Sequence, residues 1–109
     1  MTAHDLKTDM LPFIAVLEGR KRFELRKDDR GFCVGDDLWL REQDGLGEMT
    51  GRVICAHVSY VLRGGPGGYG LPPGYCVMSL TDVTEMEDDA QCPAPADAPA
   101  VLITSAGGS

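Results

Sequence analysis

A stripe of apolar residues near the N-terminus has the spacing of an α-helix. Residues three or four positions apart lie on one face of a helix, so the stripe predicts a helix over 10–18. Gly19 would end this helix, because glycine readily adopts the left-handed conformation found at helix C-termini. Thr8 or Asp9 would be the N-cap, and Pro12 falls in the first turn, where a missing N–H costs little. We expect the stripe to lie in the core; its members are Met10, Phe13, Ile14 and Leu17.

Five other segments have the composition or the alternation of β-strands. Valine, isoleucine and aromatic residues favour strands, and a period of two places successive side chains on opposite faces. Residues 63–74 include six glycines and three prolines, which predicts a loop. Aspartate and glycine residues predict a second loop over 43–50. The predicted strands are 4–7, 21–27, 37–42, 52–62 and 75–81.

The second of these predicted strands has the clearest alternation. Phe23 and Leu25 point to one side of it. Arg22, Glu24 and Arg26 point to the other side. We expect the apolar row to face the core and the charged row to face solvent.

The order of the elements predicts an α+β fold. One N-terminal helix and about five short strands are typical of a small barrel-like sheet, which curls to protect its edges. After Val83 the composition changes to an acidic, Pro/Ala-rich segment that cannot bury enough apolar area to fold. We therefore predict one domain over 1–83 and a disordered tail over 84–109.

The net charge of −7 is distributed unevenly along the chain. Residues 1–80 carry ten Lys and Arg against eleven Asp and Glu, whereas residues 81–109 carry six acids and no base. Within the first part, the segment 20–30 has six bases against three acids, a local charge of +3. This asymmetry keeps a polyanion such as RNA among the expected partners, despite the acidic total.

Cysteine spacing and hydropathy argue against several classes of protein. The sequence has no Cys-x-x-Cys pair, so we expect no metal site and no cofactor, and four reduced thiols are the simplest interpretation. No apolar run is long enough to cross a bilayer, and the N-terminus lacks the apolar core of a secretory signal. These features predict a cytoplasmic protein with no membrane partner. The cysteines are Cys33, Cys55, Cys76 and Cys92.

The segment Gly19-x-Lys21-x-x-Glu24-x-Arg26 is the most distinctive in the chain. It resembles the G-x-K-x-x-E-x-R signature of the ASCH domain, a member of the PUA-like β-barrel superfamily, and it matches at all four positions. Further segments are similar to a phage- and bacteria-associated branch of that superfamily, which is described as a domain of unknown function. The resemblance extends over about residues 4–80 and also rests on 4–7, 26–30, 34–36, 50–52 and 74–77.

The resemblance implies a small β-barrel that binds RNA in a cleft beside the helix, lined by the motif residues. Arg26 offers a planar fork for phosphate, Lys21 offers a compact charge, and Glu24 could accept hydrogen bonds from a base or a ribose hydroxyl. The aromatic residue in the glycine-rich loop could stack on a base or could equally anchor that loop. The charged residues could also form a simple solvated face. The predicted binding residues for single-stranded RNA or a nucleotide are Lys7, Lys21, Glu24, Arg26, Lys27, Arg30 and Tyr69.

Two alternatives to a binding module remain open. Some relatives in the superfamily are amidohydrolases that deacetylate N(4)-acetylcytidine with the motif lysine, a threonine and a distal glutamate. Lys21 matches that lysine, but Glu24 stands in the place of the threonine and residues 63–74 contain no carboxylate, which argues against hydrolysis. Glu24 as a general base, with Lys21 stabilising an oxyanion, would be a different mechanism. The other alternative is a phage-type accessory protein that binds a host protein through the tail or through the Trp39 face.

Overall fold

The computed structural model describes residues 2–87 and Pro93, and this part of the chain contains one mixed sheet and one helix. The elements are β1 (Ala3–Asp9), α1 (Met10–Leu17), β2 (Phe23–Lys27), β3 (Asp37–Gln43), β4 (Met49–Arg63) and β5 (Tyr75–Met86). The strand order in the sheet is β1-β3-β4-β5-β2. β1 and β3 are parallel, and the other neighbouring strands are antiparallel. The sheet curls into a half-barrel.

The predicted helix and all the predicted strands are present, and only their ends differ from the prediction. The curled five-stranded sheet with one short helix agrees with the predicted α+β, barrel-like class. β5 continues to Met86, beyond Val83, where we placed the end of the domain. Most of the predicted tail, 84–109, lies outside the described residues.

The helix packs against one side of the sheet and supplies part of the core. Phe13 and Val16 are buried in the same apolar cluster as Leu40 and Ile54 of β3 and β4. Each such side chain contributes about 1.5–3 kcal/mol by its burial. The predicted stripe is only partly correct, since Met10 is exposed and Val16 is buried instead. No helix in the described part of the chain is both long enough and apolar enough to cross a membrane.

The side of β2 that faces inward is opposite to the predicted one. Glu24 is only 2% exposed, whereas Phe23 and Leu25 are 46% and 51% exposed. The alternation is confirmed, but Glu24 and Arg26 face the inside of the half-barrel and the apolar row faces solvent. Arg22 lies before β2 and is exposed. The prediction failed because Lys21 and Arg26 both donate hydrogen bonds to Glu24, and Arg26 also donates across the gap in the half-barrel to β1. Those hydrogen bonds offset the cost of burying the charges.

Arginine side chains connect the two edges of the sheet. β1 and β2 are the edge strands, and we call the gap between them the seam. Arg26 donates from Nη2 to the carbonyl oxygen of Lys7 at 3.0 Å. Arg30 donates from Nη1 to the carbonyl oxygen of Asp5 at 2.8 Å. Because the two acceptors alternate along β1, both lie on the edge that has no neighbouring strand, and the arginines satisfy them.

Asp36 ties the start of β1 to the turn before β3. Its carboxylate accepts hydrogen bonds from the backbone N–H groups of Thr2 at 3.1 Å and Cys33 at 2.9 Å. His4 Nε2 hydrogen-bonds to the same carboxylate at 2.9 Å. Gly35 adopts a left-handed conformation with φ of +94°, in agreement with the turn that the sequence predicts at 34–36. The buried Asp36 side chain therefore holds these two segments together.

The expectation of four reduced thiols is wrong. Cys55 is disulfide-bonded, whereas Cys33 and Cys76 are free. Cys92 lies outside the described residues. Cys55 and His57 lie two residues apart on the same face of β4. The carbonyl oxygen of Pro93 accepts a hydrogen bond from His57 Nε2, so a later part of the chain returns to this face. The spacing of cysteines in the sequence gives no sign of this return.

Asp36→Asn is expected to destabilise the fold, because the substitution replaces a carboxylate oxygen with an amide N–H₂ group facing hydrogen-bond donors. The expected loss is about 1–3 kcal/mol, and each kcal/mol should lower the Tm of a domain of this size by about 4–8 °C. Thermal unfolding followed by circular dichroism measures it. Asp29→Asn is the control, since Asp29 is exposed and should change the Tm little.

The same carboxylate gives the stability a defined pH dependence. Burial opposes the ionisation of Asp36, but hydrogen bonds from a histidine and two backbone N–H groups outweigh burial and hold its pKa below the usual 3.8. Because the pKa of Asp36 is lower in the folded state, its contribution to stability is fully present above the pKa of the unfolded state. That contribution is lost as the pH falls through the pKa of the folded state. Below about pH 4, the Tm of the wild type should therefore fall more steeply than that of Asp36→Asn. Parallel curves would contradict this role.

Candidate ligand-binding cleft

A cleft opens in the seam, between the C-terminal end of β1 and strand β2. It encloses about 240 Å³. Side chains from β1, β2, β3 and the connection after α1 converge on it, and most of them are polar or charged. The polar lining consists of Lys7, Thr8, Asp9, Lys21, Glu24, Arg26 and Gln43.

Glu24 is the most deeply buried charge in the cleft. Its Oε1 accepts a hydrogen bond from Lys21 Nζ at 2.6 Å, and its Oε2 accepts one from Arg26 Nε at 2.9 Å. The carboxylate is almost completely buried, while both cations are partly exposed. A buried carboxylate requires paired charge and hydrogen bonds, and both are supplied here. The three side chains together carry a charge of +1, with the positive groups nearer to solvent.

Local sequence places these charges in one corner. Gly19 ends the helix with φ of +80°, as predicted, and the backbone N–H of Lys21 then donates to the carbonyl oxygen of Ala15 at 3.0 Å. This places Lys21 beside the last carbonyls of α1, which form the partly negative end of the helix. Glu24 and Arg26 are two residues apart in a strand and therefore share a face.

Arg26 makes three hydrogen bonds to the protein. Besides Glu24, it donates from Nη2 to the carbonyl oxygen of Lys7 at 3.0 Å and to Thr8 Oγ1 at 3.3 Å. A guanidinium group has five N–H donors in fixed directions, so these contacts orient the carboxylate and hold β1 at the same time. The geometry gives Arg26 a positioning role in the cleft.

Three polar residues of the cleft were missed as ligand-binding groups in the sequence. Thr8 is buried and donates its hydroxyl proton to the carbonyl oxygen of Leu6 at 3.3 Å. Gln43 Nε2 donates to Asp9 Oδ1 at 2.9 Å, across the paired ends of β1 and β3. Thr8 and Asp9 were recognised only as N-cap candidates, and Asp9 holds that position without a side-chain capping bond. No local signal marks Gln43, because the pairing of two distant strands brings it into the cleft.

The remaining predicted binding residues lie outside the cleft. Lys27 and Arg30 line a second cavity of about 260 Å³, and Arg26 borders both cavities. Tyr69 lies apart from both, on the loop after β4, with 94% of its side chain exposed and a left-handed φ of +52°. The predicted residues that share the cleft are Lys7, Lys21, Glu24 and Arg26.

A larger cavity, of about 380 Å³, lies between the end of α1 and β5. It shares Lys21 with the cleft but not the buried carboxylate. Within residues 2–87 and Pro93, no three His, Cys, Asp or Glu side chains are grouped as metal ligands. The smaller cleft is the stronger candidate, because buried and paired charges in a concave site are typical of functional sites.

Lys21, Glu24 and Arg26 form a buried charge cluster. Removing Arg26 alone is expected to destabilise the fold more than removing Arg26 and Glu24 together. Arg26→Met leaves Glu24 buried with only Lys21 beside it, and should lower the free energy of unfolding by up to about 3–5 kcal/mol. Adding Glu24→Leu removes both charges and should recover part of that loss. Urea denaturation of the single and double variants measures the coupling. Arg22→Met is an exposed control, and an equal loss in it would contradict the pairing.

Comparison with known proteins gives the family. Over 58 residues, the chain is 43% identical to a protein of Escherichia phage P2 described as "Uncharacterized 12.9 kDa protein in GpA 3'region". That match covers 53% of this chain and 52% of the phage protein, so the chain spans about half the length of the curated relative it matches. The sequence profile of the family "Domain of unknown function (DUF3850)" matches residues 3–80, which include α1, β2 and the whole cleft. The chain therefore belongs to the DUF3850 family.

Proposed function

We propose that the protein is a binding module for RNA or a modified nucleotide, and that the cleft in the seam receives the base. One observation carries the proposal: a buried carboxylate lies between two partly exposed cations in a small concave site. Acceptors beside donors are what the polar edge of an unpaired base requires. The volume of about 240 Å³ lies just below the roughly 300–1,000 Å³ of drug-sized ligand sites, which suits one base or nucleoside.

The side chains of the cleft divide into two roles. Glu24 keeps acceptor capacity after its two hydrogen bonds, because an ionised carboxylate has about four acceptor positions. It would accept a hydrogen bond from an exocyclic amine or a ribose hydroxyl. The lysines at the rim are compact, mobile charges that suit phosphate, and the adjoining cavity would extend the contacts along the backbone. The phosphate contacts assigned here are Lys7, Lys21, Lys27 and Arg30.

We also propose that the chain is related to the ASCH domain of the PUA-like superfamily, and that the protein is cytoplasmic. The four motif residues meet in one corner beside the helix, where the resemblance implies a cleft. The curled half-barrel is compatible with a small PUA-like barrel. Supporting residues are Gly19, Lys21, Glu24 and Arg26.

Lys21→Ala should weaken binding of a labelled single-stranded RNA by more than about tenfold, because a charge-assisted contact contributes about 1.5–3 kcal/mol. Fluorescence anisotropy with the full chain measures the affinity. Three or four phosphate contacts should also give the wild type a log–log salt slope of about −2 to −3. Arg20→Ala is the matched control, since Arg20 is exposed and pairs with Glu18 outside the cleft. An unchanged affinity in folded Lys21→Ala would rule out this assignment.

A second candidate, an amidohydrolase acting on N(4)-acetylcytidine or a similar acylated nucleoside, is favoured by the position of Thr8. Its hydroxyl lies in the cleft, 3.3 Å from Arg26 Nη2, so β1 supplies the hydroxyl that the motif lacks at Glu24. In such a reaction the hydroxyl oxygen attacks the amide carbonyl, a nearby carboxylate accepts its proton, and Lys21 stabilises the oxyanion. The carboxylate then returns the proton to N4 as the C–N bond breaks and cytidine leaves, and water hydrolyses the acetyl–threonine ester to release acetate. Asp9 and Glu24 are the carboxylates that line the cleft.

This candidate predicts release of acetate from N(4)-acetylcytidine. Thr8→Val removes the hydroxyl but keeps the shape, so it should abolish release, whereas Thr8→Ser should retain measurable activity. Chromatographic detection of cytidine gives the rate. No cytidine from the wild type at high protein concentration would eliminate the candidate for this substrate. Equal rates in Thr8→Val and the wild type would eliminate Thr8 as the nucleophile.

A further inference from the structure

The outward side of β2 continues into a larger apolar surface on the two neighbouring strands. Leu25, Val77 and Leu62 lie directly opposite one another on β2, β5 and β4. Phe23 and Tyr60 both lie opposite the same residue of β5. Residues opposite one another in an antiparallel sheet share a face, so these side chains form one continuous surface. We call it the outer face; it comprises Phe23, Leu25, Tyr60, Leu62, Tyr75 and Val77.

Three aromatic rings on the outer face are open to solvent. The exposed fractions are 46% for Phe23, 63% for Tyr60 and 39% for Tyr75. Phe23 and Tyr60 are two strands apart, which corresponds to about 10 Å. Aromatic side chains usually contribute their large apolar area to a core or an interface, so three exposed rings on one sheet face indicate a binding surface.

The outer face is also free of acidic groups, although the chain has a net charge of −7. Its six residues and their in-register partners Lys27 and Ser79 include no carboxylate. Lys27 lies opposite Tyr75, and Lys21 Nζ lies 5.1 Å from the centre of the Phe23 ring. Two of the three rings thus have a lysine beside them. Rings that alternate with cations match a chain of flat bases joined by phosphates.

We propose that single-stranded RNA crosses the outer face with its bases stacked on Phe23, Tyr60 and Tyr75. This inference rests on the proposed function, since the ligand is the same RNA whose base enters the cleft. Base–aromatic stacking tolerates any base, because every base has a π-face. The outer face would therefore add affinity, and the cleft would supply selectivity.

The two surfaces are adjacent because they share one edge strand. Leu25 is exposed on the outer face and also lines the cleft. Lys21 Nζ lies at the edge between the two surfaces, 2.6 Å from Glu24 Oε1 and 5.1 Å from the centre of the Phe23 ring. An RNA strand that leaves the cleft over the edge of β2 therefore arrives directly at the first ring.

The charge pattern favours RNA over an apolar protein surface as the occupant. The centre of a protein–protein interface is depleted in charged residues, and lysine is disfavoured there. On the outer face, Lys21 and Lys27 lie next to the rings rather than at a distance from them. A second copy of the chain would bring the same lysines against them. A polyanion gains most from Lys27, which forms no ion pair within the described residues, whereas Lys21 is already paired with Glu24.

Leucine substitutions separate stacking from simple apolar contact. In the full chain, Phe23→Leu and Tyr60→Leu keep an apolar side chain but remove the ring. Loss of one stacked base should weaken binding of a labelled oligouridine by about 5- to 150-fold in fluorescence anisotropy. Leu11→Ala is the control, because Leu11 is an exposed apolar residue on α1, away from the outer face, and should bind as the wild type does. Circular dichroism melting establishes that each variant is folded.

A second probe distinguishes failure of this inference from failure of the proposed function. Cytidine monophosphate carries the exocyclic amine assigned to Glu24, is too short to span both surfaces and tests the cleft alone, with Lys7→Ala as the cleft variant. Weaker oligouridine binding with unchanged monophosphate binding in the leucine variants would support stacking on the outer face. Ultraviolet crosslinking followed by mass spectrometry should then place uridine on Phe23, Tyr60 or Tyr75.

Three outcomes would change the assignment. Wild-type affinity for oligouridine in both leucine variants would overturn the inference and leave the cleft untouched. The second outcome is weaker oligouridine binding in the leucine variants, no effect of Lys7→Ala and no monophosphate binding by the wild type. It would support RNA binding on the outer face and overturn base binding in the cleft. A wild-type dimer in sedimentation that Leu25→Asp dissociates, with no RNA binding, would overturn the inference in favour of a second copy of the chain.

Discussion

A carboxylate that leaves water must be neutralised, and this requirement at Glu24 decides how the edge of the sheet is built. Burying an unpaired carboxylate would cost more than the few kcal/mol that keep a small domain folded. Lys21 and Arg26 therefore have to lie beside it, and they do, at 2.6 Å and 2.9 Å. Arg26 can do so only when β2 turns its charged row inward, which turns Phe23 and Leu25 outward. The cleft and the outward orientation of Phe23 and Leu25 are two results of one buried charge.

The seam shows how an open sheet can hold its edges together without a further strand. Arg26 and Arg30 donate to carbonyl oxygens of β1, groups that an edge strand would otherwise leave to water. A guanidinium group can do this and still pair with a carboxylate, because its donors point in several fixed directions. These arginines are therefore partly committed to the fold. Lys7 and Lys27 form no ion pair within the described residues, so these two lysines remain available to a polyanion.

Local patterns in the sequence predicted the elements, but contacts between distant segments determined the site. The helix, the strands and the left-handed Gly19 were predictable because periodicity and glycine chemistry act over a few residues. Alternation also identified the two rows of β2, yet it cannot tell which row faces inward when Arg26, the partner of Glu24, is held by hydrogen bonds to β1. Thr8 and Gln43 enter the cleft only through the parallel pairing of β1 with β3. The disulfide of Cys55 is equally invisible to spacing.

The outward row of β2 is informative because the cleft does not require it to be apolar. Polar residues in place of Phe23 and Leu25 would leave Glu24 and Arg26 on the inward side just as well. An edge strand with exposed apolar side chains is also a liability, since it invites pairing with other chains. Departures from local rules of this kind are expected where a protein binds something. The apolar row is thus a feature independent of the buried charge. A ligand that reaches both sides of β2 would account for the two together, because it would need a polar cleft on one side and a stacking surface on the other.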